Sequence, residues 1–540
     1  MTATPDLNAA ADVVSLLRSV VETAARHIGE LGGVDQRRSA NQTIGYDLAH
    51  AVAGVEIAAS ALEYGAKGDV EARIACAFVA DTVHDLVTRT LGREALWGVD
   101  DDAFAAARDF VRAYRDPSFL AALAREPGPR HLDSDFELVR DTFRRFAEEK
   151  VRPIAEHVHR ENADIPEDVI SGLAEIGTFG LSVPTEYDGF SEGGASEYMA
   201  MVVATEELSR GSLGAAGSLI TRPEILTRAL VQGGTEEQKQ EWLPKIASGE
   251  IMSAVAVTEP DFGSDVGGVK VTATPKDDGY VINGVKTWCT FAARADVLML
   301  LARTDPDRSK AHRGVSLFVV PKPRADGHGF EFTQEATGGK IEGRAIDTIG
   351  YRGMHSYEVA FDNWFVGSEN LIGGEAGLGR GFYLTAQGFE NGRLQTAARA
   401  LGVMQAAYEA AVEYASNRLV FGTALGDYEL TQVKLGRMAM VIQASRQFMY
   451  QVARQMAKGE GAMEAAMVKA YVCRAAEWIA REAMQIHGGM GYAEEFPVSR
   501  YYVDARVLSI FEGADEILTL GVIARWLTDP KTRPSSAKDR

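Results

Sequence analysis

Cysteine is scarce in this sequence, whose 540 residues include three: Cys76, Cys289 and Cys473. They are far apart and form no CxxC pair or Cys/His group, which argues against a disulfide framework and against a zinc site. Apolar runs long enough to cross a bilayer are also missing. The first residues show no basic segment followed by an apolar stretch. We therefore expect a cytoplasmic protein with reduced thiols in packed positions, no bound metal and no membrane partner.

Lysine and arginine are also outnumbered by acidic residues. The chain has 56 lysines and arginines against 76 aspartates and glutamates, a formal net charge of −20 at pH 7. Because the acidic residues are spread along the chain, this balance argues against a nucleic-acid surface and is typical of a soluble protein. A P-loop is absent, and the glycine-rich run at 373–382 follows no βαβ unit. We interpret this run as a bend that leads into a helical segment.

Helical periodicity dominates both ends of the chain, whereas strand-like runs occupy the middle. Pro127–Pro129 interrupts the first helical stretch and predicts a linker. The β-rich runs are separated by predicted turns at Asp278–Gly279 and Asn283–Gly284, and helical periodicity returns after Gly381. We predict an α+β protein of four segments: a helical extension (1–130), a helical domain (131–250), a β-domain (251–368) and a helical bundle (369–540).

The extension contains a stretch, 63–87, that resembles 455–480 in the bundle. Two interpretations fit this likeness. Either the extension is a degenerate copy of a helical hairpin of the bundle, or two alanine-rich hairpins look alike by composition. Neither interpretation assigns chemistry to the extension.

Five short motifs carry the functional signal: AVAVTEPDFGSDVGG (254–268), TWCT (287–290), RLVFG (418–422), QIHGGMGY (485–492) and IFEGADEI (510–517). Together they resemble the acyl-CoA dehydrogenase family over roughly residues 135–530. The resemblance implies a helical domain, a central β-barrel or sandwich domain and a C-terminal four-helix bundle. The extra N-terminal helical domain is not general in that family.

The resemblance implies an FAD cofactor, which needs an aromatic wall, donors at the ring edge and small residues near its pyrophosphate. By that resemblance Trp288 packs against the ring, Thr258 and Thr290 bond its edge, and Gly263–Ser264 meets the phosphates. Each alone has an ordinary alternative, as a core aromatic, a strand threonine or a turn glycine. The complete set of candidate cofactor residues is Val257, Thr258, Gly263, Ser264, Trp288, Thr290, Arg418, Phe421, Gln485, Gly488 and Gly489.

Two of these residues imply a second subunit. In the family, Arg418 would pair with the pyrophosphate and Phe421 would pack on the adenosine side of a neighbour's FAD. The alternative is a helix-terminal arginine on a solvated face, but Gln485 and the pair Gly488–Gly489, which permits close backbone approach, favour the cofactor role. The resemblance therefore implies a homodimer or a dimer of dimers.

Glu512 matches the family's catalytic base, which removes the α-proton of a CoA thioester. The resemblance implies that its backbone N–H and a ribityl hydroxyl of FAD stabilise the enolate oxygen. We expect burial beside the flavin to raise the pKa of Glu512. Some relatives carry the base at a position that here is Gly392, which cannot serve. The ordinary alternative for Glu512 is an acidic residue near a helix N-terminus, and Ala514 and Glu516 depart from the family pattern.

The resemblance further indicates a short branched acyl-CoA with a second, free carboxylate. It rests partly on the extension and on 337–365, interpreted as a glycine-rich insertion. A buried carboxylate needs a cation, for which Arg222 is the candidate; its alternative is a surface arginine. Arg393 is expected near the CoA or the base, and Gly513 near the substrate. Electrons would pass to an electron-transferring flavoprotein. The alternatives are an uncharged short-chain substrate, an acyl-CoA oxidase or a non-catalytic flavoprotein assembly factor.

Overall fold

A computed structural model describes residues 3–37 and 40–529 of the chain. The chain forms two compact units. One unit, here called the terminal unit, combines both ends of the sequence, Met1–Asp135 and Thr396–Arg540, and the central unit comprises Phe136–Gln395. The predicted order of helices, strands and helices is confirmed. The boundaries of the four predicted segments stay a prediction.

The N-terminal part of the terminal unit is helical, as predicted. Asp6 caps the first helix, because its carboxylate accepts a 3.0 Å hydrogen bond from the Ala9 N–H. The buried face of this helix includes Val13, Leu17 and Ile28, which recur at helical spacing. The helices are α1 (Leu7–Glu30), α2 (Gln42–Gly65), α3 (Asp69–Thr90), α4 (Glu94–Trp97), α5 (Arg108–Tyr114) and α6 (Pro117–Ala122).

The central unit begins with helices and continues into a sheet. Its helices are α7 (Ser134–Phe146, whose first two residues belong to the terminal unit), α8 (Arg152–Arg160), α9 (Glu167–Glu175), α10 (Ala195–Gly211), α11 (Thr221–Gly233) and α12 (Glu236–Ala247). The strands are β1 (Ser253–Ala256), β2 (Thr272–Lys276), β3 (Gly279–Thr290), β4 (Val297–Arg303), β5 (Val315–Pro321), β6 (Gly329–Thr333), β7 (Lys340–Ile346) and β8 (Ser356–Gly367).

These strands form one sheet in the order β1-β4-β2-β3-β8-β7-β6, with β5 paired to β4. Every residue of β4 is buried, which explains why this strand reads as a continuous apolar run. Leu226 and Leu230 of α11 and Leu243 of α12 pack in one core with β4 and β5. Helices of the same unit therefore cover the sheet at β4 and β5.

Two interpretations of the β-region are wrong. Asn283–Gly284 is not a turn between strands but lies inside β3, where the pairing with β8 shifts register between Ile282 and Gly284. Gly284 has φ +126°, so the glycine that predicted a turn serves a bulge instead. Segment 337–365 is not an insertion, because it forms β7 and most of β8, which pair with each other in the sheet.

Helix α13 (Gly381–Asn417) contributes residues to both units. The rest of the terminal unit comprises the hairpin β9 (Leu419–Val420) and β10 (Thr423–Ala424), followed by α14 (Glu429–Met456), α15 (Ala462–His487), α16 (Gly489–Tyr492), α17 (Val498–Val507) and α18 (Arg525–Thr528). A π-helical turn, Ile517–Ala524, precedes α18. The bundle predicted after residue 369 is thus present as long helices.

The N-terminal helices pack directly on this bundle. At Gly436 of α14 a side-chain Cβ would lie 2.0 Å from the carbonyl oxygen of Leu120, at the end of α6, so only glycine permits this approach. The Tyr408 hydroxyl of α13 donates to the Ala124 carbonyl at 2.9 Å. The extension, predicted as a separate helical segment, therefore shares a core with the C-terminal helices.

The three cysteine thiols are buried and unpaired, as predicted. Across residues 3–37 and 40–529, no helix is both long and apolar enough to cross a membrane. In the same residues, no cluster of three or more His, Cys, Asp or Glu side chains is arranged to hold a metal ion.

Candidate active site

A buried lysine organises the first candidate cofactor motif in the central unit. Lys286 of β3 is fully buried, and its Nζ donates to the Val257 carbonyl at 2.8 Å and to Glu259 Oε1 at 2.9 Å. Glu259 also accepts from the backbone N–H groups of Lys270 and Val271, at 2.6 and 2.9 Å. Burial lowers the pKa of Lys286, and Glu259 opposes that shift. This cluster fixes the segment after β1 against β3.

The second motif lies beside the first. The Thr287 N–H donates to the Thr258 carbonyl at 2.9 Å, which joins the two candidate segments through their backbones. Trp288 has φ +57° and is 54% exposed, and it falls where the register of β3 shifts. The buried Thr290 shares a 2.9 Å hydrogen bond with Ser356 of β8. A large aromatic left half-exposed by an unusual backbone is not a core residue, which favours the cofactor interpretation.

Gly263 and Ser264 form an exposed bend. The bend follows the bridge between Glu259 and Phe262 and precedes a short 3₁₀ turn, Val266–Gly268. A Cβ built on Gly263 would meet only Thr258, at 3.9 Å, so space is open in front of the backbone. The half-exposed aromatic, the adjoining threonines and this open backbone fit the needs of a flavin nucleotide.

The two candidate substrate arginines belong to helices of the central unit. Arg222, in the first turn of α11, is buried, and its carbonyl accepts a 3.0 Å hydrogen bond from Ser253 of β1. The alternative of a surface arginine is therefore wrong. Arg393 lies on α13, where burial lowers the pKa of its guanidinium against the opposing effect of Glu390. Arg222 is thus anchored to the strand that leads into the first candidate cofactor motif.

In the terminal unit, the motifs predicted to reach a neighbouring subunit lie on adjacent turns. Arg418 and Phe421 belong to the β9–β10 hairpin, and Phe421 is 97% exposed with φ +52°. Gln485 lies in the last turn of α15, and Gly488–Gly489 forms the junction between α15 and α16. The rings of Tyr414 and His487 stack with centroids 4.2 Å apart, which brings the two segments together. A fully exposed phenylalanine beside an open glycine turn suits contact with another molecule.

Glu512 lies on a sharp turn of the terminal unit, as predicted. Its side chain is 6% exposed, and Oε2 accepts from the Thr396 hydroxyl at 2.7 Å and pairs with Arg399 at 2.5 Å. Arg399 also stacks over the Phe511 ring, 4.7 Å from its centroid. Because the guanidinium stabilises a negative charge, this contact favours the carboxylate that proton abstraction requires.

The turn is held on its other side too. Lys469 of α15 donates to the Gly513 carbonyl at 2.6 Å. Asp515, three residues after Glu512, accepts from the Tyr46 hydroxyl at 2.6 Å and contacts His50 Nε2 at 3.0 Å. Burial opposes ionisation of Asp515, but the hydrogen bonds from His50 and Tyr46 outweigh it, so its pKa is lowered.

Several residues around the candidate site were not predicted from the sequence: Thr396, Arg399, Lys469, Tyr46, His50, Asp515, Lys286 and Glu259. The sequence offered a partial indication for Arg399. It lies two helical turns after Gly392, the position where some relatives carry the base, and therefore on the same helix face. Tyr46 and His50 gave none, because their partner lies at the opposite end of the chain.

The chain matches three family models, described as the acyl-CoA dehydrogenase N-terminal domain over residues 133–250, the middle domain over 254–364 and the C-terminal domain over 379–528. It is 45% identical over 435 residues to (2S)-methylsuccinyl-CoA dehydrogenase of Cereibacter sphaeroides, a match that covers 78% of this chain and 77% of that protein.

Solved structures agree with these matches. Butyryl-CoA dehydrogenase from Megasphaera elsdenii superimposes with a TM-score of 0.66 at 28% identity, over 74% of this chain and 98% of that one. Glutaryl-CoA dehydrogenase in complex with glutaryl-CoA gives a TM-score of 0.65 at 31% identity, over 72% of this chain and 94% of that one. The chain therefore belongs to the acyl-CoA dehydrogenase family of FAD-dependent enzymes, with additional helices ahead of residue 133.

Proposed function

We propose that this enzyme oxidises (2S)-methylsuccinyl-CoA to mesaconyl-CoA, a reaction of the ethylmalonyl-CoA pathway. The carrying observation is a buried carboxylate, Glu512, held on a sharp turn by Arg399 and Thr396. The name of the Cereibacter sphaeroides relative and the buried cation Arg222 support the choice of substrate.

The chain's own residues supply the proton chemistry. Glu512 takes the α-proton of the thioester, and its backbone N–H donates to the thioester oxygen as negative charge develops there. The chemistry that FAD supplies when bound is acceptance of the hydride from the β-carbon. Trp288, Thr258, Thr290 and the Gly263–Ser264 bend would hold that group within one subunit.

In this proposal, residues of a second subunit complete the FAD site. Arg418, Phe421, Gln485 and Gly488–Gly489 would contact the FAD of a neighbouring chain, which requires at least a homodimer. The electrons then leave to an electron-transferring flavoprotein. An oxidase would release hydrogen peroxide during turnover, whereas the dehydrogenase proposed here would release little.

The role of Glu512 is tested by anaerobic mixing with methylsuccinyl-CoA while the flavin absorbance is followed. We expect bleaching in the wild type and reduction slower by about 1,000-fold in Glu512→Gln, because general-base catalysis contributes on that order. Glu516→Gln is the matched control, since Glu516 is exposed four residues further on, and should match the wild type. Normal bleaching of Glu512→Gln would contradict the base assignment.

The role of Arg222 is tested by substrate preference. Removing its charge leaves the free carboxylate of methylsuccinyl-CoA unpaired, so we expect Arg222→Ala to raise KM by about 100-fold for this substrate. The KM for isovaleryl-CoA, which is branched but uncharged, should change by less than about threefold.

Arg393→Ala serves as the comparison, because an arginine beside the CoA or the base should affect both substrates alike. Equal losses on the two substrates in Arg222→Ala would contradict the carboxylate role. Bleaching of the wild type by isovaleryl- or butyryl-CoA, but not by methylsuccinyl-CoA, would favour an uncharged short-chain substrate.

A further inference from the structure

The backbone at the candidate base is in an unusual conformation. Glu512 has φ +54° and Gly513 has φ +97°. Glycine adopts this region readily, whereas a glutamate pays a steric cost there. Such a conformation persists only where neighbouring contacts fix it. The orientation of the Glu512 carboxylate therefore depends on what holds the turn.

Three helices hold the turn through side chains. Arg399 of α13 binds the Glu512 carboxylate, and Lys469 of α15 binds the Gly513 carbonyl. The third contact comes from α2 of the N-terminal extension, whose Tyr46 and His50 both bind Asp515 Oδ2. Two anchors thus belong to the C-terminal bundle, and one belongs to a segment outside the three family models.

The contact from α2 is specific rather than a general packing contact. Asp515 is buried, and the rings of Tyr46 and His50 meet edge-to-face with centroids 4.7 Å apart. The Asp515 N–H donates to the Ser509 carbonyl at 3.1 Å, and its carbonyl accepts from the Thr519 hydroxyl at 2.7 Å. A carboxylate bound in this way fixes the C-terminal end of the turn that carries Glu512.

We propose that the N-terminal extension positions the catalytic base: Tyr46 and His50 of α2 hold Asp515 and thereby orient Glu512. Both are positioning residues, since neither contacts the carboxylate of Glu512. This inference rests on the proposed role of Glu512, but not on which acyl-CoA is the substrate. It gives the extension a function in the reaction beyond covering the bundle.

Tyr46→Phe tests the inference because it removes a single hydroxyl. Tyr64→Phe is the matched control, since Tyr64 lies on the same helix and donates to the Pro129 carbonyl at 3.1 Å, away from the turn. With the acyl-CoA that bleaches the wild type, we expect flavin reduction about 10-fold slower in Tyr46→Phe, as a misplaced base predicts. KM should change by less than about twofold, and Tyr64→Phe should behave as the wild type.

A second pair of variants separates positioning from simple loss of packing. His50→Leu removes the donor to Asp515, whereas the amide of His50→Gln can still donate. We expect slow reduction in His50→Leu and a rate close to that of the wild type in His50→Gln. Amide hydrogen exchange of a peptide covering 509–518 should be faster in Tyr46→Phe and His50→Leu, which reports the turn independently of activity.

The outcomes separate this inference from the proposed function. If Glu512→Gln is reduced as fast as the wild type, the base assignment and this inference both fail. If Glu512→Gln is inactive while Tyr46→Phe and His50→Leu keep the wild-type rate and exchange, only the role of α2 is overturned. Equal slowing in Tyr46→Phe and Tyr64→Phe would also overturn it, because the effect would then be general destabilisation of α2.

Discussion

Glu512 combines two opposing influences at the scale of a single residue. Burial disfavours a charged carboxylate, whereas the buried guanidinium of Arg399 favours it. From the sequence, only the first influence was visible, so a raised pKa was expected; that expectation stays a prediction. The structure adds Arg399 as the partner of this carboxylate, which the sequence alone did not reveal.

Lys286 and Glu259 make a second buried ion pair, whose role is structural. Replacing one partner leaves the other charge buried without its counterion. We expect Lys286→Met to lower the free energy of unfolding of the central unit by about 3 kcal/mol, measured by urea denaturation of the full chain.

Lys270→Met is the matched control for that measurement. Lys270 pairs with Asp261 at 3.3 Å, and the two side chains are 49% and 75% exposed, so its loss should cost under about 1 kcal/mol. Similar stability losses in the two variants would contradict the expectation that the buried ion pair of Lys286 contributes more to stability than the exposed pair of Lys270.

Among the secondary-structure elements, sequence periodicity distinguished helices from strands correctly. Strands β4 and β5 appeared as apolar runs because they lie inside a covered sheet, and α1 appeared as an amphipathic helix because one face is buried. The bulge at Gly284 was misread because an Asn-Gly pair suits both a tight turn and a positive-φ bulge. Only the pairing with β8 distinguishes the two.

The two similar stretches of sequence cover the turn and most of the second helix of the hairpins α2–α3 and α14–α15. Each hairpin consists of two helices joined by a short turn, as both duplication and compositional likeness require. The structure therefore supports the hairpins themselves and leaves both interpretations of their origin in place.

Residues of the candidate site could be predicted where the signal lies in one short stretch of sequence, but not where it depends on a partner far along the chain. Glu512, Gly513 and the candidate flavin motifs are contiguous strings, so the sequence alone was enough to propose them. The contact between His50 and Asp515 joins residues 465 positions apart, and no periodicity or propensity encodes such a pair. What the sequence could not supply is which distant side chains converge on the turn.

At the scale of the whole molecule, buried histidines predict an acid-sensitive terminal unit. Burial lowers the pKa of His50, with Arg474 and Arg89 acting in the same direction and Asp515 opposing. Burial also lowers the pKa of His487, against a hydrogen bond to the Ala483 carbonyl. As pH falls below about 6.5, the unfolded chain therefore takes up protons that the folded terminal unit does not.

The free energy of unfolding of the terminal unit should accordingly fall between pH 7 and pH 5 and be insensitive to these groups above pH 7.5. Urea denaturation at several pH values measures the slope, and His50→Gln should make it shallower because one titrating group is removed. Equal slopes for the wild type and His50→Gln would contradict a contribution from His50.

The terminal unit is assembled from both ends of the chain, and this has a consequence for biosynthesis. As the polypeptide leaves the ribosome, α1 to α6 emerge first, yet the long helices that cover them are translated last, after the entire central unit. Until then the apolar surface that packs on those late helices stays uncovered, so we expect this segment to recruit chaperones during translation. A nascent chain stalled before residue 396 should bind such helpers, whereas the released enzyme should not.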